Sequence, residues 1–179
     1  MKLRHLFFAC SGVFVMMFSL LLLVVIVFSD EEDGGSSGNL IYGGVSVSQE
    51  VLAHKPMLEK YAREYGIEEY LNVLLAIIQV ESGGTLEDVM QSSESLGLPP
   101  NSLSTEESIK QGCKYFSELL AAAETKGCDL NSVIQSYNYG GGFLDYVTGR
   151  GKKYTFELAE SFARDKSGGK KVTYTNPVA

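Results

Sequence analysis

The chain has 179 residues, with 22 Asp/Glu against 15 Lys/Arg and a formal net charge of −7, so its surface repels phosphate backbones and nucleic acid is not expected as a partner. His5 and His54 are the only histidines and three cysteines are present, so no zinc or haem site of familiar ligand spacing can be assembled. A Gly-rich phosphate loop and a Gly-x-Ser-x-Gly elbow are both missing from the sequence; metal and nucleotide chemistry are set aside, and no cofactor is expected.

Taken in chain order, the first element is a membrane segment. Residues 1–5 carry Lys2, Arg4 and His5, and residues 6–28 carry no charge. At ~1.5 Å per residue that run is about 34 Å long, enough for a hydrocarbon core of ~30 Å. Positive charge before the run and Asp30-Glu31-Glu32-Asp33 after it predict a cytoplasmic tip and an outward-facing remainder, hence a single-pass cell-membrane protein. A cleavable signal peptide fits less well, because the run exceeds the usual ~7–15 apolar residues and Val27-Phe28-Ser29-Asp30 lacks a small-x-small site. Residues 29–48 are rich in Asp, Glu, Gly and Ser and read as a flexible spacer. Residues 49–166 suit one domain, and 167–179 a tail without periodicity.

Within the domain the apolar pattern is helical throughout and no strand alternation occurs, so the predicted fold class is all-α. Leu58, Tyr61, Ala62 and Tyr65 form one stripe, with Pro56 starting or kinking the helix and Gly66 ending it. A second, almost wholly apolar helix covers Leu71 to Ser82. Gly83 to Leu103 lacks periodicity, and loops of that length inside a compact domain are often functional. Ser104-Thr105-Glu106-Glu107 is a capping box opening a helix with Ile109, Cys113, Phe116, Leu119, Leu120 and Ala123 inward, stopped by Gly127. Asp129 caps a helix with Leu130, Val133, Ile134 and Tyr137 inward, which runs into Gly140-Gly141-Gly142. Phe143 to Val147 makes a short helix, and Thr155 caps a last one burying Phe156, Ala159, Phe162 and Ala163. The basic residues between Arg150 and Lys171 read as a solvated helix and tail. Cys113 and Cys128 are either one disulfide or two free thiols.

The most informative stretch is Leu75-Ala76-Ile77-Ile78-Gln79-Val80-Glu81-Ser82-Gly83-Gly84. Glu81 shares a helical face with Leu74, Ile77 and Ile78, so desolvation penalises its charged form. Its place at the negative end of the helix dipole acts in the same direction. Both effects predict a raised pKa and a carboxyl that keeps its proton near neutral pH, which is the state a general acid requires.

Three short motifs then occur in order: Glu81-Ser82, Met90-Gln91 and Tyr137-Asn138-Tyr139-Gly140. This order resembles the goose-type lysozyme and soluble lytic transglycosylase superfamily, with its Glu-Ser, Gly-Leu-Met-Gln and Ala-Tyr-Asn-x-Gly signatures. The loop Asp88 to Asn101 is similar to that of the lysozyme-like domain in two-part cell-wall hydrolases of Gram-positive conjugative elements. The resemblance spans roughly Val51 to Phe162 and departs from the wider pattern where Asp88-Val89 replaces Gly-Leu.

The resemblance implies a compact lysozyme-like domain in which catalytic Glu81 protonates the β-1,4 bond between N-acetylmuramic acid and N-acetylglucosamine. A second carboxylate, where one is used, would be Asp88 or Glu94. Ser82, Gln91, Ser92, Tyr137, Asn138 and Tyr139 are the implied substrate-binding residues, with Tyr137 able to orient Glu81 and with Tyr139 and Phe143 offering faces to sugar rings. Met90 is expected to plug the core. The implied partners are peptidoglycan glycan strands, the membrane through residues 6–28, and components of a conjugation or secretion machine. The implied activity is that of a muramidase opening the wall locally for conjugative transfer. The alternatives are a lytic transglycosylase forming 1,6-anhydro-muramoyl ends and a non-catalytic wall-binding assembly module. The similar wall hydrolases carry a second, peptide-cleaving domain; no Cys/His pair follows this one, so stem-peptide cleavage is not expected of this sequence.

Overall fold

A computed structural model describes residues 40–42 and 45–168. The predicted membrane segment, the cytoplasmic tip, most of the spacer and residues 169–179 of the tail lie outside the described residues. Among the described residues no helix is long and apolar enough to cross a membrane.

A short ribbon opens the described body. Strands β1 (Leu40–Tyr42) and β2 (Val45–Val47) pair antiparallel with Leu40 opposite Val47 and Tyr42 opposite Val45. This ribbon adds to the all-α expectation, since three-residue strands are too short to show alternation. Val47 is fully buried in the main core, so the packed body takes in residues that composition assigns to the spacer.

Helix α1 (Gln49–Ala53) follows, with Ser48 as its N-cap accepting the Val51 N–H. One turn of helix is likewise invisible to a periodicity argument. Its position is set by close backbone approach: a Cβ on Gly84, at φ +79°, would lie 2.7 Å from the Glu50 carbonyl carbon and the Val51 nitrogen. Only glycine fits there.

Helix α2 (Lys55–Glu64) carries Pro56 in its first turn and turns Leu58, Tyr61 and Ala62 inward, with Tyr65 partly buried. After a 3₁₀ turn (Glu68–Tyr70), α3 runs from Leu71 to Glu81. Six consecutive α3 residues, Val73 to Ile78, are buried, so this helix has no solvent face in its middle. At roughly 1.5–3 kcal/mol for each large apolar side chain, α3 is the element on which the core is built. It packs against β2, α1 and α2.

The long α4 (Thr105–Lys126) begins at the expected capping box, with both Ser104 and Glu107 engaged, and ends at Gly127 in the left-handed conformation. It packs on α2 and on α5 (Leu130–Tyr139). Asp129 caps α5 through the Ser132 N–H and also accepts the Tyr154 N–H at 3.1 and 3.2 Å, tying the last loop to the bundle. Helices α6 (Gly142–Thr148) and α7 (Phe156–Lys166) enclose a satellite core of Phe143, Val147, Ala159 and Phe162. Phe156, expected inward, is 44% exposed; Tyr154, just before the helix, packs on that cluster instead. Cys113 and Cys128 are free thiols.

Candidate active site

The last residue of α3 is Glu81, carried by the buried helix to the edge of a cavity of ≈180 Å³. Three elements enclose that cavity. The loop after α3 brings Gln91, Ser92, Glu94 and Ser95; α4 brings Tyr115; the end of α5 brings Tyr137, Asn138, Tyr139 and Gly140. The three motifs read in the sequence therefore meet in one place.

The Glu81 carboxyl is partly accessible from the cavity and otherwise enclosed by the core. Its pKa is pushed up to about 8, first by burial, then by the negative charges of Glu94 and Asp88. The direction agrees with the sequence argument, and two nearby carboxylates add to the effect of burial. Glu94, exposed on the rim, is itself raised by partial burial and by Asp88. Tyr137 is pushed well up by burial and then by the charge of Glu81, which places the two side chains within electrostatic reach.

Hydrogen bonds sort the predicted residues. Gln91 sits at φ +46°, in the left-handed region that bulky residues avoid, and both hydrogens of its amide are engaged, by the Asp88 carbonyl and by Asn101 Oδ1, each at 2.8 Å. Its amide oxygen is the group left to a ligand. Asn138 lines the cavity, and its Nδ2 is buried without a hydrogen-bond partner. Tyr139 keeps one side at the cavity and stacks on Phe162 at 5.6 Å.

Four of the expected residues make contacts within the fold itself. Asp88 is fully buried and points away from the cavity: its Oδ1 accepts the Ser92 N–H (2.9 Å) and the Ser108 hydroxyl (2.6 Å), and its Oδ2 accepts the Ser93 N–H (3.2 Å). A carboxylate so occupied cannot activate a nucleophile at Glu81. The Ser82 hydroxyl donates to the Val89 carbonyl (2.7 Å) and accepts the Gly84 N–H (3.0 Å), so it braces the loop. The Tyr137 hydroxyl donates to the Met90 carbonyl (3.0 Å), which leaves its oxygen as an acceptor on the side of Glu81. Phe143 is fully buried in the satellite core and offers no face to a sugar.

Ser92 stands between these cases. It borders the cavity, but its hydroxyl donates inward to the Ser108 carbonyl at 2.9 Å. Met90 is fully buried, as a core plug should be.

Two contributors escaped the sequence reading. Tyr115 lies one position from Phe116 on the margin of the α4 stripe, tilted against Tyr137 at 5.5 Å and hydrogen-bonded to the Gly141 backbone. A tyrosine at the edge of an apolar stripe was the available signal. Ser108 is fully buried in the first turns of α4, and a small polar residue beside Ile109 gives no signal of its own.

A helical body whose central helix delivers one glutamate to a polar and aromatic cavity is the arrangement expected of a lysozyme-like domain. The comparisons agree: residues 48–179 match the family described as Lysozyme-like, and the chain belongs to that family. It is 44% identical over 124 residues to the bifunctional muramidase/DL-endopeptidase CwlT of Bacillus subtilis (strain 168), covering 69% of this chain and 37% of that protein. It is 37% identical to the uncharacterized membrane protein YocA of the same organism over 67% of this chain and 54% of YocA. A solved structure of a lipoprotein-like member of the NLP/P60 family from Staphylococcus aureus subsp. aureus Mu50 superposes with a TM-score of 0.73 at 74% identity, covering 76% of this chain and 46% of that one. The chain thus spans between about a third and a half of the length of these three proteins. The resemblance drawn from the three motifs is borne out.

Proposed function

We propose that this domain cleaves the glycan strands of peptidoglycan as a muramidase, at the β-1,4 bond between N-acetylmuramic acid and N-acetylglucosamine. The observation that carries the reading is Glu81 at the end of a buried helix, its pKa raised by burial, beside a cavity walled by Gln91, Glu94, Asn138 and Tyr139. With a pKa of about 8, roughly nine in ten molecules carry the proton at pH 7. The carboxyl then donates that proton to the departing glycosidic oxygen, and its carboxylate afterwards acts as base. The oxocarbenium-like charge developing on the sugar lies between the carboxylates of Glu81 and Glu94. The Asn138 amide donor and the Gln91 amide oxygen position the sugar, with Tyr139 and Tyr115 as aromatic walls.

With Asp88 turned inward, Glu94 is the one other carboxylate lining this cavity among the described residues, and it sits exposed on the rim. This supports a second reading, a lytic transglycosylase in which the muramoyl 6-hydroxyl attacks and an anhydro end forms without a second protein carboxylate. Residues 6–28 would tether the domain outside the membrane, facing the wall, where a conjugation or secretion machine would use the opening it makes.

The test is digestion of purified sacculi by the protein and by Glu81→Gln, with released reducing ends counted and products weighed. Glu81→Gln should abolish release while its circular dichroism is unchanged; undiminished release overturns the proposal. Products lighter by one water identify the transglycosylase, and binding without turnover by the unaltered protein identifies a non-catalytic wall module. Glu94→Gln should stop hydrolysis where Glu94 serves as the second carboxylate, and should leave an anhydro-forming reaction running.

A further inference from the structure

Every turn of the segment Asp88–Glu94 is fastened from beneath. Asp88, without any exposed surface, accepts the backbone N–H groups of Ser92 and Ser93 together with the Ser108 hydroxyl of α4. The Ser108 hydroxyl also accepts the Met90 N–H (3.0 Å), and its carbonyl accepts the Ser92 hydroxyl. Two further bonds arrive from either side, Ser82 to the Val89 carbonyl and Tyr137 to the Met90 carbonyl. These bonds hold Gln91 in its left-handed conformation, which a residue of this size adopts only where the surroundings impose it. They also set the start of the 3₁₀ turn Ser93–Leu96 that carries Glu94.

From this arrangement we infer that Asp88 is a positioning residue: through the Ser92 and Ser93 amides and the Ser108 hydroxyl it fixes the loop that places Gln91 and Glu94 beside Glu81. The inference rests on the glycan-cleavage reading for its kinetic consequence, though not for its structural one. A buried carboxylate serving three donors is strongly held, and removing an acceptor from a buried donor leaves that donor unpaired. Asp88 has a second effect through space. The titratable groups that share the cavity with Glu81 are Glu94 from the loop, Tyr137 from α5 and Tyr115 from α4, and Asp88, turned into the core, acts on Glu81 through space and adds to the negative field that raises its pKa.

The discriminating variants, made in the full chain, are Asp88→Asn and Ser108→Ala. Asp88→Asn keeps the shape, removes the charge, and sets an amide group against either the Ser93 or the Ser92 N–H. Glycan release should fall on the order of tenfold to a hundredfold, since misplacement by about 1 Å is enough for such a loss. The alkaline limb of its pH profile should move to lower pH because a like charge near Glu81 is gone. Ser108→Ala should lower turnover as well, without that downward shift, because Asp88 retains its charge. A merely structural Asp88 would leave the limb in place. Amide hydrogen exchange gives a readout that does not depend on activity: Ser92 and Ser93 should exchange faster in both variants while α3 and α5 keep their protection. Unchanged protection at Ser92 and Ser93 overturns the inference. Absence of glycan cleavage by the unaltered protein, with exchange changed as stated, overturns the functional reading alone. Should Asp88→Asn not fold, unchanged exchange and turnover in Ser108→Ala overturn the inference.

Discussion

Burial of Glu81 has a consequence for stability as well as for chemistry. In the unfolded chain this carboxyl ionises near 4.5, whereas in the folded protein it holds its proton to about 8. Protonation therefore favours the folded state: the stability it contributes is fully present below pH 4.5 and is lost as pH rises through 8. Glu81→Gln removes the titration and keeps the shape, so the comparison of the two proteins at each pH cancels most other groups. The interval from 4.5 to 8, at about 1.4 kcal/mol per pH unit, sets a ceiling of about 5 kcal/mol. Water reaching the carboxyl from the cavity offsets part of this, leaving about 2–4 kcal/mol. For a domain of this size that corresponds to a relative gain in Tm by the variant of roughly 10 °C between pH 4 and pH 9. Thermal unfolding of both proteins across that range measures it. Midpoints that move in parallel from pH 4 to 9 would refute the claim that Glu81 is desolvated. The same raised pKa predicts that glycan release declines above about pH 8, as the acid form disappears.

Two further outcomes follow from packing. Gly112→Ala in α4 would place a Cβ 2.5 Å from Met90 Sδ and 2.9 Å from the Tyr137 hydroxyl, both beside the loop that borders the cavity. Overpacking there should destabilise by about 1–3 kcal/mol in denaturant unfolding and reduce turnover, and a variant with wild-type midpoint and activity would show that the contact relaxes freely. Cys113 is fully buried and its thiol is pushed up to about 12, chiefly by burial, so iodoacetamide at pH 8 should leave it unmodified until the protein unfolds. Rapid modification in the native protein, read by peptide mass, would contradict that burial.

The helices were legible because their signals are local. Pro56, the Ser104–Glu107 box, Gly127, Asp129 and Thr155 stand where the helix ends fall, and each works through bonds within a few residues of itself. Glu81 was legible for a related reason, since the apolar residues one turn behind it on its own helix already imply a dry environment. Short elements such as β1, β2 and α1 were not, because three to five residues do not complete a period that can be counted.

The loop residues mark the boundary between the two kinds of information. Asp88 and Glu94 are both acids in one polar stretch, and nothing in their order says which faces inward. That is decided by Ser108, twenty residues after Asp88, whose hydroxyl turns Asp88 into the core and leaves Glu94 on the rim. Likewise Tyr137 was placed on the correct stripe, but which acceptor its hydroxyl meets depended on where Met90 came to rest. The sequence by itself determined the helical frame, the protonatable glutamate and the set of motifs that surround it, because these follow from periodicity and from neighbours along the chain. The tertiary structure decided the roles within that set, because a hydroxyl or carboxylate spends its few hydrogen bonds on whichever partner folding brings within 3 Å, and such partners lie far away in sequence.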